Sequence, residues 1–275
     1  MSTTTIIVPC HNEARRFNSA QFGRFSIDHQ DVRFLLVNDG SQDATLTIIE
    51  GLAVANPRQF EVLNLVQNRG KAEAVRLGIL QAARRNTDYI GFWDADLATP
   101  LQAIVDFISV LERRPEIELL LGVRMPLLGH NICRQPLRRR LGTVFAQVAS
   151  FTLGVRFRDT QCGAKMFRAS PEIMAAFSQP FHSRWIFDVE LLARMIRMQR
   201  RTTSARLQET VYELPLDQWE DVAGSKLKRG DFFKAVSELA AIWWRYLRPA
   251  APQFTQQTVK ETTPEEISGT IRRAA

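Results

Sequence analysis

Short apolar runs alternate with longer amphipathic stretches along the first half of the chain. Five runs of β-branched and other apolar residues end at turn-forming residues and predict buried strands at residues 5–9, 33–37, 61–66, 89–93 and 118–123. Apolar positions at helical spacing predict helices between them, at residues 12–25, 43–55, 71–84 and 100–113. This alternation is typical of an α/β fold with a mostly parallel sheet and helices on both faces.

The second half of the chain has a less regular pattern. It predicts long helices at residues 137–153, 185–200 and 231–248. The last helix is amphipathic and ends in Trp243 and Trp244, which favours either core packing or a position at a membrane interface. Residues 249–275 hold few large apolar side chains, so we expect a mobile tail there.

The charge balance indicates an anionic partner. The 275 residues include 36 basic and 29 acidic ones, a net charge of +7 that suits nucleic acid, a membrane surface or phosphorylated small molecules. Seven arginines fall within residues 119–158, which contain no acidic residue. We expect no zinc site and no disulfide framework from three cysteines and four histidines at irregular spacing, and therefore a reducing compartment. We also see no signal peptide and no run long enough to span a membrane.

Polar clusters follow four of the predicted strands, at the edge where such sheets bind ligands. They are residues 11–13 (HNE), 38–41 (NDGS), 68–71 (NRGK) and 94–96 (DAD). The carboxylates of Asp94 and Asp96 suit Mg²⁺ or Mn²⁺ that carries substrate phosphates. The second and third clusters fit a capped turn and a solvated loop as well as a phosphate-facing loop.

In their order along the chain, these blocks resemble glycosyltransferase family 2, the inverting nucleotide-sugar enzymes with the GT-A fold. Three later blocks look like the dolichyl-phosphate β-glucosyltransferase branch: DTQCG at 159–163, RWIFDVEL at 184–191 and GSK at 224–226. The resemblance implies a single GT-A domain over residues 1–230, with a nucleotide-sugar half at about 1–123 and an acceptor half at about 124–230. It implies transfer of glucose from UDP-glucose to a polyprenyl phosphate, at the cytoplasmic face of a membrane.

The resemblance also assigns roles to individual residues. The donor nucleotide sugar would be bound by Pro9, His11, Glu13, Asp39, Lys71, Asp94, Ala95 and Asp96. Asp96, with Asp94 beside it, would hold Mg²⁺ or Mn²⁺. Relatives that use a mannosyl donor often carry a further metal ligand where this chain has Ala98, which leaves the metal ligands open and favours a glucosyl donor.

On the acceptor side, the residues matched to the lipid phosphate are Arg124, Arg134, Arg138 and Lys226. Asp188 would orient the acceptor or clamp an arginine, or would serve as general base if the acceptor were a hydroxyl. The catalytic set is therefore Asp96, Asp188 and Arg124. Trp185 either stacks on the sugar or fills the core, and we favour the core.

Other functions remain open at this stage. Within the family, the donor could be GDP-mannose or the acceptor a glycan hydroxyl. A pI near 9.8 would allow a nucleic-acid-binding module, but the chain has no nucleic-acid motif, so we expect no such partner. A nucleotide-sugar-binding protein without catalysis is the third alternative.

Overall fold

A computed structural model describes residues 2–200, 206–222 and 230–248, with side chains in the last segment from residue 234 onward. The strands of this part are β1 (Thr4–Cys10), β2 (Val32–Asp39), β3 (Phe60–Leu65), β4 (Tyr89–Trp93), β5 (Leu119–Val123), β6 (Asn131–Cys133), β7 (Ala164–Arg168), β8 (Val211–Pro215) and β9 (Gln218–Glu220). The helices are α1 (Ser19–Asp28), α2 (Thr45–Ala55), α3 (Lys71–Ala82), α4 (Ala103–Arg113), α5 (Pro136–Leu153), α6 (Pro171–Phe177), α7 (Phe187–Gln199), α8 (Leu207–Thr210) and α9 (Gly230–Ile242). A π-helical turn, Trp243–Leu247, continues α9.

The central sheet has seven strands in the order β3-β2-β1-β4-β7-β5-β8. Every pairing is parallel except the two made by β7, which runs antiparallel to β4 and to β5. β6 and β9 pair separately as a small parallel sheet. The predicted mostly parallel mixed sheet is therefore confirmed.

Both faces of the sheet are buried, as the continuous apolar strands require. Successive side chains of β1 point to opposite faces, so Ile7 belongs to one apolar cluster while Ile6 and Val8 belong to the other. The first cluster includes residues of α3, α5, α6, α7 and α9, and the second includes residues of α1, α2 and α4. Helices therefore cover both faces, and the strand ends are left free to carry a site.

The sequence predicts a first helix from residue 12, which is seven residues too early. The structure starts α1 at Ser19, after Asn18 has capped it by accepting a hydrogen bond from the backbone N–H of Gln21 at 3.1 Å. The preceding residues turn back instead, because the backbone N–H of Asn12 donates to Ser41 Oγ at 3.1 Å. Asn12 itself has a φ of 54°, which no helix permits.

The amphipathic segment at 231–248 has some apolar side chains in the core and others on the surface. Its buried side chains include Leu239 and Ile242, whereas Val236, Trp243 and Trp244 are exposed. Among the described residues, no helix combines the length and the apolar character that crossing a bilayer demands. The predicted tail, residues 249–275, lies outside the described residues.

Candidate active site

A pocket opens at the carboxyl edge of the sheet, where β1, β2 and β4 end side by side. Its cavity volume is about 200 Å³. The residues around it are Pro9, Cys10, His11, Glu13, Asp39, Lys71, Asp94, Ala95 and Asp96. The structure thus brings together all eight residues that the sequence assigns to the nucleotide sugar, and adds Cys10.

The buried carboxylate of Asp39 fixes the loop that leads into α3. The backbone N–H of Arg69 donates to Asp39 Oδ1 at 2.7 Å, and that of Gly70 donates to Oδ2 at 2.9 Å. The next residue, Gly40, has a φ of 62°, and a Cβ there would lie 2.4 Å from the backbone nitrogen of Asn68. Asp39 therefore holds two loops of the pocket together, and its expected contact with the base stays a prediction.

His11 and Glu13 are oriented by contacts within the pocket wall. His11 Nδ1 donates to the backbone carbonyl of Asp39 at 2.8 Å, which directs Nε2 away from β2. Glu13 forms an ion pair with Arg16. Burial nevertheless raises the pKa of the Glu13 carboxyl, against the opposing charge of Arg16.

Asp94 is already paired with a cation. Lys71 Nζ donates to Asp94 Oδ1 at 2.5 Å. Enclosure by the protein acts to lower the pKa of Lys71, but the charges of Asp94 and Asp188 outweigh it and the pKa is raised. Lys71 therefore stays charged in the wall of the pocket, where it offsets the charge of Asp94.

Asp96, by contrast, has no ion-pair partner among the described residues. Its Oδ1 accepts a hydrogen bond from the backbone N–H of Ala98 at 3.2 Å. Burial, followed by the negative charge of Asp94, raises the pKa of the Asp96 carboxyl. A carboxylate in this position gains most from a divalent cation.

The donor set fits Mg²⁺ or Mn²⁺ only if the substrate supplies further ligands. Within the described ranges, no group of three or more His, Cys, Asp or Glu side chains could hold a metal ion by itself. Mg²⁺ commonly takes one or two protein carboxylates and completes its octahedron with phosphate oxygens and water. Asp96, with Asp94 beside it, matches that arrangement.

Asp188 forms a buried ion pair and lies close enough to Lys71 to raise the pKa of that lysine. Its Oδ1 is 2.7 Å from Nζ of Lys165, which is 1% exposed. Lys165 also donates to the backbone carbonyl of Cys162 at 2.6 Å and lies 5.2 Å from the ring centre of Phe92. The predicted clamp of Asp188 on an arginine is therefore wrong, since its partner is a lysine.

The acceptor half centres on a second buried ion pair. Arg124 Nε donates to Asp159 Oδ2 at 2.6 Å, and Nη2 donates to Oδ1 at 2.8 Å. Burial acts to raise the pKa of Asp159, but Arg124 outweighs it and lowers that pKa to about 2. The guanidinium N–H groups of Arg124 that we expected to bind the acceptor phosphate thus donate to Asp159 instead.

Arg134 is the predicted acceptor residue that remains available. Its guanidinium lies 5.8 Å from the ring centre of Trp219, which Arg124 approaches to 5.1 Å. Arg134 makes no ion pair with any described residue. Burial and the positive charge of Arg124 lower the pKa of Arg134, an unfavourable situation that a bound anion would relieve.

Three other predicted residues have different outcomes. Arg138 pairs with Asp221 at 2.6 Å, which competes with the expected phosphate. Lys226 lies outside the described residues. The prediction that Trp185 fills the core is wrong, because its side chain is 48% exposed.

Sequence reasoning missed four residues that shape the site. Asp159 and Gly163 belong to a recognised block, but their partners Arg124 and Asp94 lie far away in sequence. Lys165 is on β7, where nothing marks a buried lysine. Trp219 sits on a three-residue strand without periodicity, so no local signal indicates its role.

Comparison with known proteins bears on the fold and the family. The model of the family described as Glycosyl transferase family 2 matches residues 5–169. A dolichyl-phosphate beta-glucosyltransferase (ALG5C) of Trichomonas vaginalis is 30% identical over 251 residues, covering 87% of this chain and 70% of the relative. The dolichyl-phosphate beta-glucosyltransferase of Drosophila melanogaster is 30% identical over 260 residues, covering 88% and 75%.

A solved structure shares the fold. Glucosyl-3-phosphoglycerate synthase from Mycobacterium tuberculosis, in complex with Mn²⁺ and UDP-glucose, aligns with a TM-score of 0.61 at 18% identity. The alignment covers 91% of this chain and 81% of that one. The predicted GT-A fold is confirmed.

Proposed function

The chain belongs to glycosyl transferase family 2, and from that premise we propose that it transfers glucose from UDP-glucose to a polyprenyl phosphate, with inversion at the anomeric carbon. The names of the two relatives support the sugar and the lipid acceptor. The UDP-glucose and Mn²⁺ bound to the structural neighbour support the donor and the metal.

The observation that carries the proposal is that Asp96 and Arg134, neither of which has an ion-pair partner among the described residues, lie on segments that both contact β9. The backbone N–H of Glu220 donates to the carbonyl of Ala98 at 3.1 Å, two residues beyond Asp96. Glu220 follows Trp219, whose ring centre lies 5.8 Å from the guanidinium of Arg134. A site for a metal diphosphate and a site for a second phosphate therefore adjoin.

On the donor side, the pocket residues bind and orient the nucleotide sugar. Lys71 would donate to the diphosphate from the wall of the pocket, where its pairing with Asp94 fixes its position. When bound, Mg²⁺ or Mn²⁺ held by Asp96 would neutralise negative charge on the departing diphosphate.

On the acceptor side, Arg134 would hold the lipid phosphate by donating to its oxygens. A phosphate monoester has a second pKa of about 6, so at neutral pH it is mostly a dianion and needs no general base. One phosphate oxygen attacks the anomeric carbon, the bond from that carbon to the diphosphate oxygen breaks, and UDP leaves with the electron pair.

The position of Asp188 favours a phosphate over a hydroxyl acceptor. A hydroxyl would need a carboxylate free to take its proton. Asp188 is buried and paired with Lys165, so it is poorly placed for that task. We assign it the role of a positioning residue that, paired with Lys165, acts on the pocket through its attraction for Lys71.

We also place the reaction at the cytoplasmic face of a membrane. The acceptor is a lipid, and all three cysteines are free, which suits a reducing compartment.

The test is a transfer assay that varies only the acceptor head. Purified full-length chain, labelled UDP-glucose and Mn²⁺ are incubated with a polyprenyl phosphate or with the matching polyprenol. We expect label in the organic phase with the phosphate alone. Transfer to the polyprenol, or transfer from GDP-mannose in preference to UDP-glucose, would overturn the assignment of acceptor or donor respectively.

A further inference from the structure

The outer side of α5 carries an apolar stripe that no described residue covers. Its members are large apolar side chains with exposed fractions between 36% and 90%: Leu137, Leu141, Val144, Val148 and Phe151. Their alternating spacing of four and three residues places them on one side of the helix, within a sector of roughly 80°. We call this set the α5 face.

α5 is therefore apolar on two sides. Its other side buries Phe145, Ala146, Ala149 and Leu153 in the core. A surface helix of a globular protein normally turns a polar side to water, because one apolar stripe suffices to pack it. The described part of the fold does not account for the second stripe.

The elements next to α5 also carry exposed apolar side chains. α5 contacts α9 and the π-helical turn that follows it. These elements expose Val236 by 41%, Trp243 by 43% and Trp244 by 62%. Tryptophan is enriched where proteins meet the boundary between lipid and water.

The positive charge around this surface indicates which partner would bind it. Arg140 is exposed at the edge of the α5 face, and Arg245 and Arg248 are exposed beside the two tryptophans. Residues 119–158 contain no acidic residue. A second copy of the chain would bring like charges together, whereas anionic lipid headgroups would complement them.

We propose that the α5 face docks the protein on an anionic lipid bilayer, with α5 lying in the plane of the interface. The inference deepens the proposed function and rests on it in one respect, since the lipid acceptor must reach the site from a membrane. α5 begins at Pro136, two residues after Arg134, so the docked helix would present the phosphate site at the headgroup level.

The test measures flotation of the full-length chain with phosphatidylcholine vesicles, with or without phosphatidylserine. We expect binding that requires phosphatidylserine and weakens in high salt. The double variant Leu141→Ser/Phe151→Ser should bind these vesicles about tenfold or more weakly. The matched control Val54→Ser/Val66→Ser removes side chains that are 81% and 91% exposed in the donor half, and it should bind like the unchanged chain.

A second readout separates this inference from the proposed function. Turnover with a short, water-soluble polyprenyl phosphate should be the same in the α5 variant and the unchanged chain, whereas turnover with a long acceptor in vesicles should fall. If the unchanged chain floats with the vesicles but turns over neither acceptor, the result contradicts the proposed function and leaves the docking surface standing. Equal flotation of both double variants would overturn the proposed docking surface. So would light scattering that shows a dimer of the unchanged chain and a monomer of the α5 variant.

Discussion

The carboxylate of Asp94 lies so close to the backbone of Gly163 that a Cβ on that glycine would stand 1.8 Å from Asp94 Oδ2. The backbone N–H of Asp94 also donates to the carbonyl of Gly163 at 3.2 Å. This contact joins the acidic loop after β4 to the loop before β7. The donor pocket and the acceptor half thus meet at one point, where little movement is possible.

Gly163→Ala should therefore displace Asp94, and with it Lys71. We expect kcat/KM to fall by about a hundredfold, the usual cost of misplacing reacting groups by an ångström. The matched control is Gly51→Ala on α2, where an added Cβ meets nothing within 4 Å. Steady-state kinetics on both variants checks this, and equal rates would contradict the role of the contact.

The pair of Arg124 and Asp159 predicts a pH-dependent stability. The Asp159 pKa is lowered from 3.8 to about 2, so the ionised pair stabilises the folded chain above about pH 4, and this is lost as the pH falls through 2. Asp159→Asn should lower the free energy of unfolding by about 2 kcal/mol at pH 7.

The difference between Asp159→Asn and the unchanged chain should narrow as the pH falls from 4 toward 2. Denaturant unfolding across that range measures it, with exposed Asp31→Asn as the control that should change little. If the difference in the free energy of unfolding did not change with pH, the charge of Asp159 would not be its cause.

The buried pair of Lys165 and Asp188 predicts non-additive effects. Lys165→Met should cost about 3–5 kcal/mol, because it removes the cation that lies 2.7 Å from the buried carboxylate of Asp188. The double variant Lys165→Met/Asp188→Leu should recover part of that loss. Additive losses in a double-mutant cycle would contradict the pairing.

The same pair also predicts how catalysis responds. If the acceptor is a phosphate, Asp188→Asn should lower kcat by less than the roughly 10²–10⁴-fold that loss of a general base costs. The measurement is made at a temperature where the variant is folded. A loss at the upper end of that range would favour a hydroxyl acceptor.

Much of the donor site could be predicted because it depends on local pattern. The apolar run at 89–93 coincides with β4, and the residues directly after a parallel strand must lie at the ligand-binding edge. Asp94 and Asp96 were placed by that rule alone. The start of α1 could not be predicted in this way, because Asn12 bonds across to Ser41 instead of continuing a helix.

The acceptor half resisted prediction because its contacts are long-range. Arg124 is locally indistinguishable from Arg138, yet one is bound by Asp159 and the other by Asp221. Only the fold reveals that Arg134 lacks such a partner among the described residues.

Arg134→Gln should weaken acceptor binding selectively. We expect the KM for polyprenyl phosphate to rise about tenfold or more, since a charge-assisted hydrogen bond is lost, while the KM for UDP-glucose stays unchanged. The exposed Arg33→Gln, at the opposite end of β2 from the pocket, is the control. A rise in the KM for UDP-glucose instead would assign Arg134 to the donor.

The most direct test of the central claim is transfer of labelled glucose into the organic phase by the unchanged chain and by Asp96→Asn, at saturating Mn²⁺. Asp96→Asn keeps the shape of the side chain but removes a pocket carboxylate that, unlike Asp94, has no cation partner among the described residues. The account predicts label with the unchanged chain and a loss of about 10³-fold or more with the variant. Turnover of Asp96→Asn within tenfold of the unchanged chain would contradict it.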